Sequence, residues 1–165
     1  MPLFEPIFDA LNHAGVRYVV VGGVAVVLHG YARFTADLDV VIDLSPKEAA
    51  KAVKALSRLG LKPRAPVDPM GLADAKVRRD WIKNKGMTVF SFIDPKDPLR
   101  TVDVFVEEPL PFEAMWRSAK KVSLGKSSVR IASIDDLISL KRRVGRPQDL
   151  ADVEALTVLK KGDKA

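Results

Sequence analysis

The sequence predicts an α/β fold in which helices pack on a small mixed β-sheet. Short β-branched runs alternate with segments of helical periodicity in the first sixty residues. A hairpin and two helical segments follow near the C-terminus. The 165 residues are 47% apolar, which suffices for one buried core. We expect a single domain over residues 1–165, with a core of about 1–110 and a C-terminal hairpin and helices of about 111–160.

The N-terminal third contains two predicted strands, each preceded or followed by a helix. Leu3–Ala14 has helical spacing and ends at Gly15, a helix stop signal. The β-branched run Arg17–Val21 predicts a buried strand, and the pair Gly22-Gly23 separates it from a short helical segment over Val24–Leu28. Asp37–Asp43 predicts the second strand.

The next helix has a recognisable start. Ser45 precedes Pro46, which suits the first helical position, and Glu48 follows three residues after Ser45. This spacing predicts a capping box and a helix that ends near Leu59, before Gly60.

The remaining elements follow from turn residues and periodicity. Prolines at positions 63, 66 and 69 predict a loop, and Gly125-Lys126 predicts a hairpin turn. The predicted elements are a loop over Lys62–Met70, a helix over Leu72–Lys85, strands over Thr88–Ile93 and Thr101–Val106, hairpin strands over Lys121–Leu124 and Ser128–Ala132, a helix over Ile134–Arg143 capped by Ser133, and a last helix from Pro147.

Composition excludes several classes of protein. The chain has no cysteine, which rules out a disulfide framework and a cysteine nucleophile, and we expect a cytoplasmic protein. No apolar stretch is long enough for a membrane span, and the N-terminus does not resemble a signal peptide. The net charge is +6, and residues 114–165, with 12 basic against 6 acidic side chains, carry all of it. Such a surplus indicates either a polyanionic partner or solvated helix faces.

Two carboxylates lie two residues apart in the second predicted strand. Residues i and i+2 of a strand share a face, so Asp37 and Asp39 should lie side by side, roughly 6–7 Å apart along the backbone. Like charges at this spacing repel, and a divalent cation such as Mg²⁺ resolves the repulsion. A solvated edge strand is the alternative.

A third carboxylate strengthens the metal interpretation. Asp103 stands alone among apolar residues in the predicted strand Thr101–Val106, where burial without a partner is costly. If this strand neighbours Asp37–Asp43, three carboxylates converge, and three acids can hold the two metal ions used in phosphoryl transfer.

The glycine pair provides a second feature of a phosphate site. A strand, Gly22-Gly23 and a helix form a geometry in which the backbone can approach a phosphate. The sequence GGVAVV matches neither the dinucleotide fingerprint nor the P-loop, and a plain tight turn is the alternative.

Taken together, these residues resemble the nucleotidyltransferase superfamily: Gly-Gly, then Asp37-x-Asp39, then a distant acid. GGVAVVLHGYARFTADLD and DLISLKRRVGRPQDLADVEAL look like the small bacterial group related to AbiEii toxins and minimal nucleotidyltransferase (MNT) domains. The resemblance covers about Tyr18–Leu156 and implies the minimal nucleotidyltransferase fold. Many superfamily members have Gly-Ser, whose hydroxyl binds phosphate, whereas Gly23 offers only its N–H.

The resemblance implies a mechanism and a set of site residues. Asp37, Asp39 and Asp103 would be catalytic and would hold Mg²⁺ (or Mn²⁺) on a nucleoside triphosphate. Residues implied in nucleotide binding are Gly22, Gly23, Arg33, Thr35 and Lys141. A surface salt bridge is an equal alternative for Arg33, and a turn role for Thr35.

Other side chains have simpler interpretations. His29 is expected to be a capping or packed histidine rather than a base. Trp81 and Trp116 could stack on a base, although core packing is the stronger expectation. Arg146, Asp149 and Asp152 lie at helical spacing and could pair with one another.

The acceptor is left open by the sequence. RNA, especially a tRNA end, agrees with the resemblance to toxins and with the basic last third. A cognate toxin or antitoxin protein and a small molecule such as an antibiotic are the alternatives, and a non-catalytic nucleotide-binding module is the last. No membrane partner is expected.

Overall fold

Seven strands of one mixed sheet position the acidic residues. The computed structural model describes residues 3–163, without the side chain of residue 163. The strands in this part of the chain are β1 (Tyr18–Val21), β2 (Asp37–Ile42), β3 (Lys62–Pro63), β4 (Val89–Asp94), β5 (Asp97–Phe105), β6 (Lys120–Leu124) and β7 (Ser127–Ile131). Their order is β3-β4-β5-β2-β1-β7-β6. The predicted α/β class with a mixed sheet is therefore confirmed.

Helices pack on this sheet. They are α1 (Glu5–His13), α2 (Gly22–Leu28), α3 (Pro46–Arg58), α4 (Ala75–Lys85), α5 (Phe112–Ser118), α6 (Ile134–Val144) and α7 (Pro147–Asp163), with a 3-10 helix over Pro69–Ala73. Within residues 3–163, no helix combines the length and the apolar character that crossing a bilayer requires.

The centre of the sheet is apolar on both faces. β2 pairs antiparallel with β1 and parallel with β5, and all four residues of β1 are buried. Val19, Val41 and Val104 are at most 1% exposed. Burial on both faces explains why these strands are continuous apolar runs rather than alternating ones. An acid at the end of such a strand is consequently held in a rigid frame.

Most predicted elements are confirmed to within a few residues, including the hairpin and the helix capped by Ser133. Ser133 Oγ accepts a hydrogen bond from the backbone N–H of Asp136. The Gly22-Gly23 pair, expected to precede a helix, instead forms the first turn of α2.

The predicted capping box at Ser45 is wrong. The Ser45 side chain makes no cap hydrogen bond, and its backbone N–H donates to Asp43 Oδ1 at 3.0 Å. Glu48 forms an ion pair with Lys51 at 2.8 Å instead of returning to the helix start. The Asp43 carboxylate thus accepts from the Ser45 N–H, the donor that a capping box would leave to the Glu48 side chain.

Two further elements of the structure differ from the prediction. The segment Lys62–Met70 is not all loop, because Lys62 and Pro63 pair with β4 at the sheet edge and the 3-10 helix begins at Pro69. Helix α5 was not predicted at all. It has seven residues, follows Pro111 without a side-chain cap and buries Phe112 and Met115. A helix this short, with two buried residues, is too brief for a periodicity signal.

The two serines before α3 and α6 make a matched pair for mutation. Ser133→Ala should lower the free energy of unfolding by about 1 kcal/mol, because it removes a cap hydrogen bond. Ser45→Ala should change it by less than about 0.5 kcal/mol, the usual range for a surface change without such a bond. Urea unfolding of both variants measures the difference, and equal losses would contradict this assignment of the caps.

Candidate active site

Strand register brings two of the predicted acids together at the centre of the sheet. Asp39 lies opposite Val21 of β1 and opposite Asp103 of β5. On the other side of β5, Ser91 pairs with Asp103, and its hydroxyl donates to Asp103 Oδ1 at 2.6 Å. The prediction that the strands carrying Asp39 and Asp103 are neighbours is confirmed. Asp37 lies two residues before Asp39 on β2 and is exposed.

Burial and like charge dominate the electrostatics of these acids. Burial, followed by the charges of Asp103 and Asp37, raises the pKa of Asp39 from 3.8 to about 7. Burial likewise raises the pKa of Asp103, although the hydrogen bond from Ser91 opposes it. Asp39 and Asp103 are direct neighbours in the pairing of β2 with β5. Unless a cation binds, Asp39 and Asp103 therefore hold a proton more readily than two exposed aspartates would.

The backbone at Gly22 runs directly against the Asp39 carboxylate. A Cβ at position 22 would lie 2.1 Å from Asp39 Oδ2, and φ of Gly22 is +68°, a left-handed value that side chains disfavour. Both the clash and the backbone conformation require glycine at this position, so the chain passes from β1 to α2 in contact with Asp39.

The neighbouring glycine is required for a different reason. Gly23 has no left-handed φ, but a Cβ there would lie 2.4 Å from Thr35 Oγ1 and 2.9 Å from Arg33 Nη2. The chain leading into β2 thus places a hydroxyl and a guanidinium against the glycine pair.

Arg33 and Lys141 are both held by Asp152 of α7. Arg33 donates to the two carboxylate oxygens of Asp152 at 2.9 and 2.8 Å, and Lys141 Nζ lies 2.8 Å from Oδ2. Gln148 donates to the same carboxylate at 2.9 Å. Asp152 is 0% exposed. Burial alone would raise the pKa of Asp152, but these partners outweigh it and hold the pKa below its usual range.

This arrangement decides between the alternatives for several residues. Arg33 forms a salt bridge, but the bridge is largely buried rather than superficial. Arg146 pairs with Asp149 at 2.8 Å, as the helical spacing indicated. Asp152 was expected to join that pair, and its contacts with Arg33 and Lys141 are the feature that sequence reasoning missed. No local pattern links positions 33, 141 and 152, because the contacts join distant parts of the chain.

An open cleft of about 470 Å³ joins these features. Its walls come from the glycine pair, from residues 33–37, from Asp39, and from the junction of α6 and α7 with Lys141, Arg146 and Asp149. A smaller hollow of about 160 Å³ shares Asp39 and Lys141 with this cleft and is also lined by Phe105, Leu137 and Val144. All the residues predicted for the nucleotide site except Asp103 line the larger cleft.

Carboxylate oxygens alone form the candidate metal ligands, and this donor set suits Mg²⁺ or Mn²⁺. The raised pKa of Asp39 reflects burial and repulsion that a bound cation would relieve. Within residues 3–163, no three acidic or histidine side chains form a preformed metal-binding cluster. The chemistry of the donor set fits a divalent cation, with Asp39 and Asp103 side by side and Asp37 next along β2.

The comparisons with known proteins agree with this geometry. The sequence profile of a family described as "Nucleotidyltransferase of unknown function (DUF6036)" matches residues 3–164. The chain belongs to this nucleotidyltransferase family. A comparison with curated proteins gave no match.

Several solved structures share the fold of this nucleotidyltransferase. The lincosamide antibiotic adenylyltransferase LnuA with lincomycin bound has a TM-score of 0.66 at 15% identity, over 96% of this chain and 97% of LnuA. ANT(2")-Ia in complex with adenylyl-2"-tobramycin gives 0.62 at 12% identity, over 99% and 90%. A putative nucleotidyltransferase from Thermotoga maritima gives 0.59 at 14% identity, over 99% and 92%. At these identities the likeness shows the fold.

The other side chains of the nucleotidyltransferase that the sequence suggested for the site have structural roles. His29 Nε2 lies 2.8 Å from the carbonyl oxygen of Ala132. Trp81 is 3% exposed and stacks on Phe90, and Trp116 has Arg130 over its ring at 4.0 Å. Packing, the stronger expectation for both tryptophans, is confirmed.

The ionisation of Asp39 gives a prediction for stability. Burial and like charge raise the pKa of Asp39 from 3.8, the value for an exposed carboxyl, to about 7 in the folded protein. Between these two pH values the folded protein therefore holds a proton that the unfolded chain has released. Stability should therefore fall as pH rises from about 4 to about 7 and then level off. In EDTA, the melting temperature of Asp39→Asn should fall less over this range, because the substituted amide has no proton to lose. Parallel pH profiles for the two proteins would contradict the raised pKa.

A second prediction concerns the buried carboxylate of α7. Asp152→Ala leaves Arg33 and Lys141 without their shared partner and should cost about 3–5 kcal/mol of unfolding free energy. Asp135→Ala removes a solvent-exposed pair with Lys160 and should cost at most about 1 kcal/mol. Chemical denaturation compares the two, and a loss at position 152 no greater than at position 135 would show that the buried bridge is unimportant.

Proposed function

We propose that the enzyme transfers a nucleoside monophosphate from a nucleoside triphosphate to a hydroxyl acceptor and releases pyrophosphate. The observation that carries the proposal is the register that sets Asp39 beside Asp103 and against the backbone of Gly22. Adjacent acids whose charge is only partly compensated, beside a cleft with two fixed cations, suit a metal–triphosphate substrate.

The residues of the cleft divide into two proposed roles. Gly22 and Gly23 would bring the backbone close to the β- and γ-phosphates, since neither can carry a side chain without a clash. Arg33 and Lys141 line the cleft with orientations set by Asp152, so their positive charges would meet the phosphates without reorganisation. Thr35 would contribute from the wall beside Gly23.

The acids would carry the chemistry. Asp37, Asp39 and Asp103 would hold the divalent cations, which supply charge stabilisation for the attacking and leaving oxygens. The acceptor oxygen bonds to the α-phosphorus while the bond from that phosphorus to the bridging oxygen breaks. Pyrophosphate leaves with the bond electrons, and the acceptor proton passes to the Asp103 carboxylate, which lies beside Asp39 in the sheet.

We propose RNA as the acceptor, in agreement with the basic last third of the chain. Lys120, Lys121, Lys126 and Arg142 are exposed there. Several basic residues of this region have intramolecular partners, however. Lys141, Arg146 and Lys160 pair with Asp152, Asp149 and Asp135, Arg130 stacks on Trp116, and Arg143 donates to the Pro109 carbonyl. The electrostatic support therefore rests on the others.

A small-molecule acceptor is the second candidate. Two structures with the same fold over at least nine-tenths of both chains are adenylyltransferases with an antibiotic or its adenylylated product bound. The narrower likeness to AbiEii toxins and MNT domains rests on the sequence stretches Gly22–Asp39 and Asp136–Leu156. It stays a prediction, as do a protein acceptor in a toxin–antitoxin pair and a cytoplasmic location.

A substitution at Asp103 distinguishes a catalytic nucleotidyltransferase from a module that only binds nucleotide. Asp103→Asn keeps the size of the side chain but removes a base, so transfer from an α-labelled triphosphate should fall by at least about 10²-fold. Nucleotide affinity should change far less, because Asp37 and Asp39 remain. Glu154→Gln, on the exposed side of α7, is the control that keeps full transfer. An Asp103→Asn variant with normal transfer would remove this acid from the mechanism.

The acceptor classes differ in their response to salt. Affinity for tRNA should fall steeply between low and physiological salt, because phosphate contacts release counterions. Lys121→Glu with Lys126→Glu should weaken tRNA binding and leave nucleotide binding unchanged. Labelling of total RNA by α-labelled triphosphates is the matching activity measurement. Absent tRNA binding at low salt, with label entering a small hydroxylated compound, would favour the second candidate.

A further inference from the structure

We infer that the Thr35 hydroxyl donates a hydrogen bond to a phosphate of the nucleotide, from the space that a side chain at position 23 would fill. This inference rests on the proposed function, because it assigns a contact within the same cleft. It concerns a polyphosphate oxygen, whatever base the nucleotide carries.

The first observation is why position 23 is glycine. Its backbone is not left-handed, so its φ does not exclude a side chain. A Cβ would nevertheless lie 2.4 Å from Thr35 Oγ1, 3.0 Å from Thr35 Cβ and 2.9 Å from Arg33 Nη2. Glycine is therefore needed because the hydroxyl of another residue already occupies that space.

The second observation is that the protein makes no use of this hydroxyl. Among residues 3–163, the Thr35 side chain has no hydrogen-bond partner. Thr35 is half-buried and lines the cleft together with both glycines and Arg33. A hydroxyl in such a place can donate to a ligand at little cost, since no internal bond is broken.

The third observation identifies the ligand as an anion. Arg33 is fixed by two hydrogen bonds to the fully buried Asp152, and its Nη2 lies beside the same Gly23 position as Thr35 Oγ1. Lys141 lines the same cleft. A hydroxyl and a guanidinium converging on one point form a donor set for phosphate oxygens, which accept charge-assisted hydrogen bonds.

A space-filling role is the competing explanation, and an isosteric substitution separates the two. Thr35→Val replaces the hydroxyl with a methyl group of similar size, whereas Thr35→Ser keeps the hydroxyl and removes the methyl group. The probe is inorganic tripolyphosphate with Mg²⁺, measured by isothermal titration calorimetry, because it has no base or ribose.

The inference predicts that Thr35→Val weakens tripolyphosphate binding about tenfold or more, as for loss of a hydrogen bond to a charged group. Thr35→Ser should bind within about threefold of the unmodified protein. Gly23→Ala, which displaces the Thr35 hydroxyl, should weaken binding like Thr35→Val. Thermal melting checks that each variant is folded, and Thr35→Ala replaces the valine variant if that one does not fold.

Two results would overturn the inference, and they differ in what else they affect. If the unmodified protein binds tripolyphosphate and folded Thr35→Val or Thr35→Ala binds it equally well, the hydroxyl only fills space and the proposed function stands. If the unmodified protein binds neither tripolyphosphate nor any nucleoside triphosphate with Mg²⁺, the inference and the proposed function both fail.

Discussion

The site depends on one contact: the carboxylate of Asp39 is pressed between the backbone of Gly22 and the carboxyl of Asp103. Pairing of β2 with β1 on one side and with β5 on the other fixes this position. This contact excludes any side chain at position 22, where β1 is followed by α2. It also leaves the negative charges of Asp39, Asp103 and Asp37 with insufficient compensation. A rigid, largely apolar sheet prevents the acids from moving apart, so a proton or a cation must resolve the repulsion.

The positive side of the cleft has its own constraint. Asp152 is fully buried on α7 and holds Arg33 from the chain before β2 and Lys141 from α6. Burying an unpaired carboxylate would be costly, so the C-terminal helix requires both cations, and both cations are oriented by it. The C-terminal helices thereby form part of the cleft rather than an appendage to the sheet. This coupling explains how two cations can face the same cleft as Asp37 and Asp39.

Much of this arrangement could be predicted from the sequence, because its signals are local. The apolar runs of β1 and β2, the glycine pair and the Asp37-x-Asp39 spacing each follow from a short stretch, and the proximity of Asp103 required only that two strands be neighbours. The contacts of Asp152 with Arg33 and Lys141 span more than a hundred residues in one case and join separate helices in the other. The absence of a capping box at Ser45 has a local cause, because Asp43, two residues earlier, accepts a hydrogen bond from the Ser45 N–H. The contacts of Asp152, in contrast, are set by tertiary geometry, which the periodicity of the sequence does not encode.

We propose that Asp39 and its neighbouring acids bind a divalent cation, and the pKa of Asp39 tests this most directly. Carbon-13 NMR of the aspartate carboxyl groups, with Asp39→Asn used to assign the signal, measures the pKa of Asp39 directly. Without divalent ions the pKa should be about 7, and saturating Mg²⁺ with a nucleoside triphosphate should lower it well below that value. A pKa near 4 in the metal-free protein, or one near 7 that Mg²⁺ and nucleotide leave unchanged, would contradict the account.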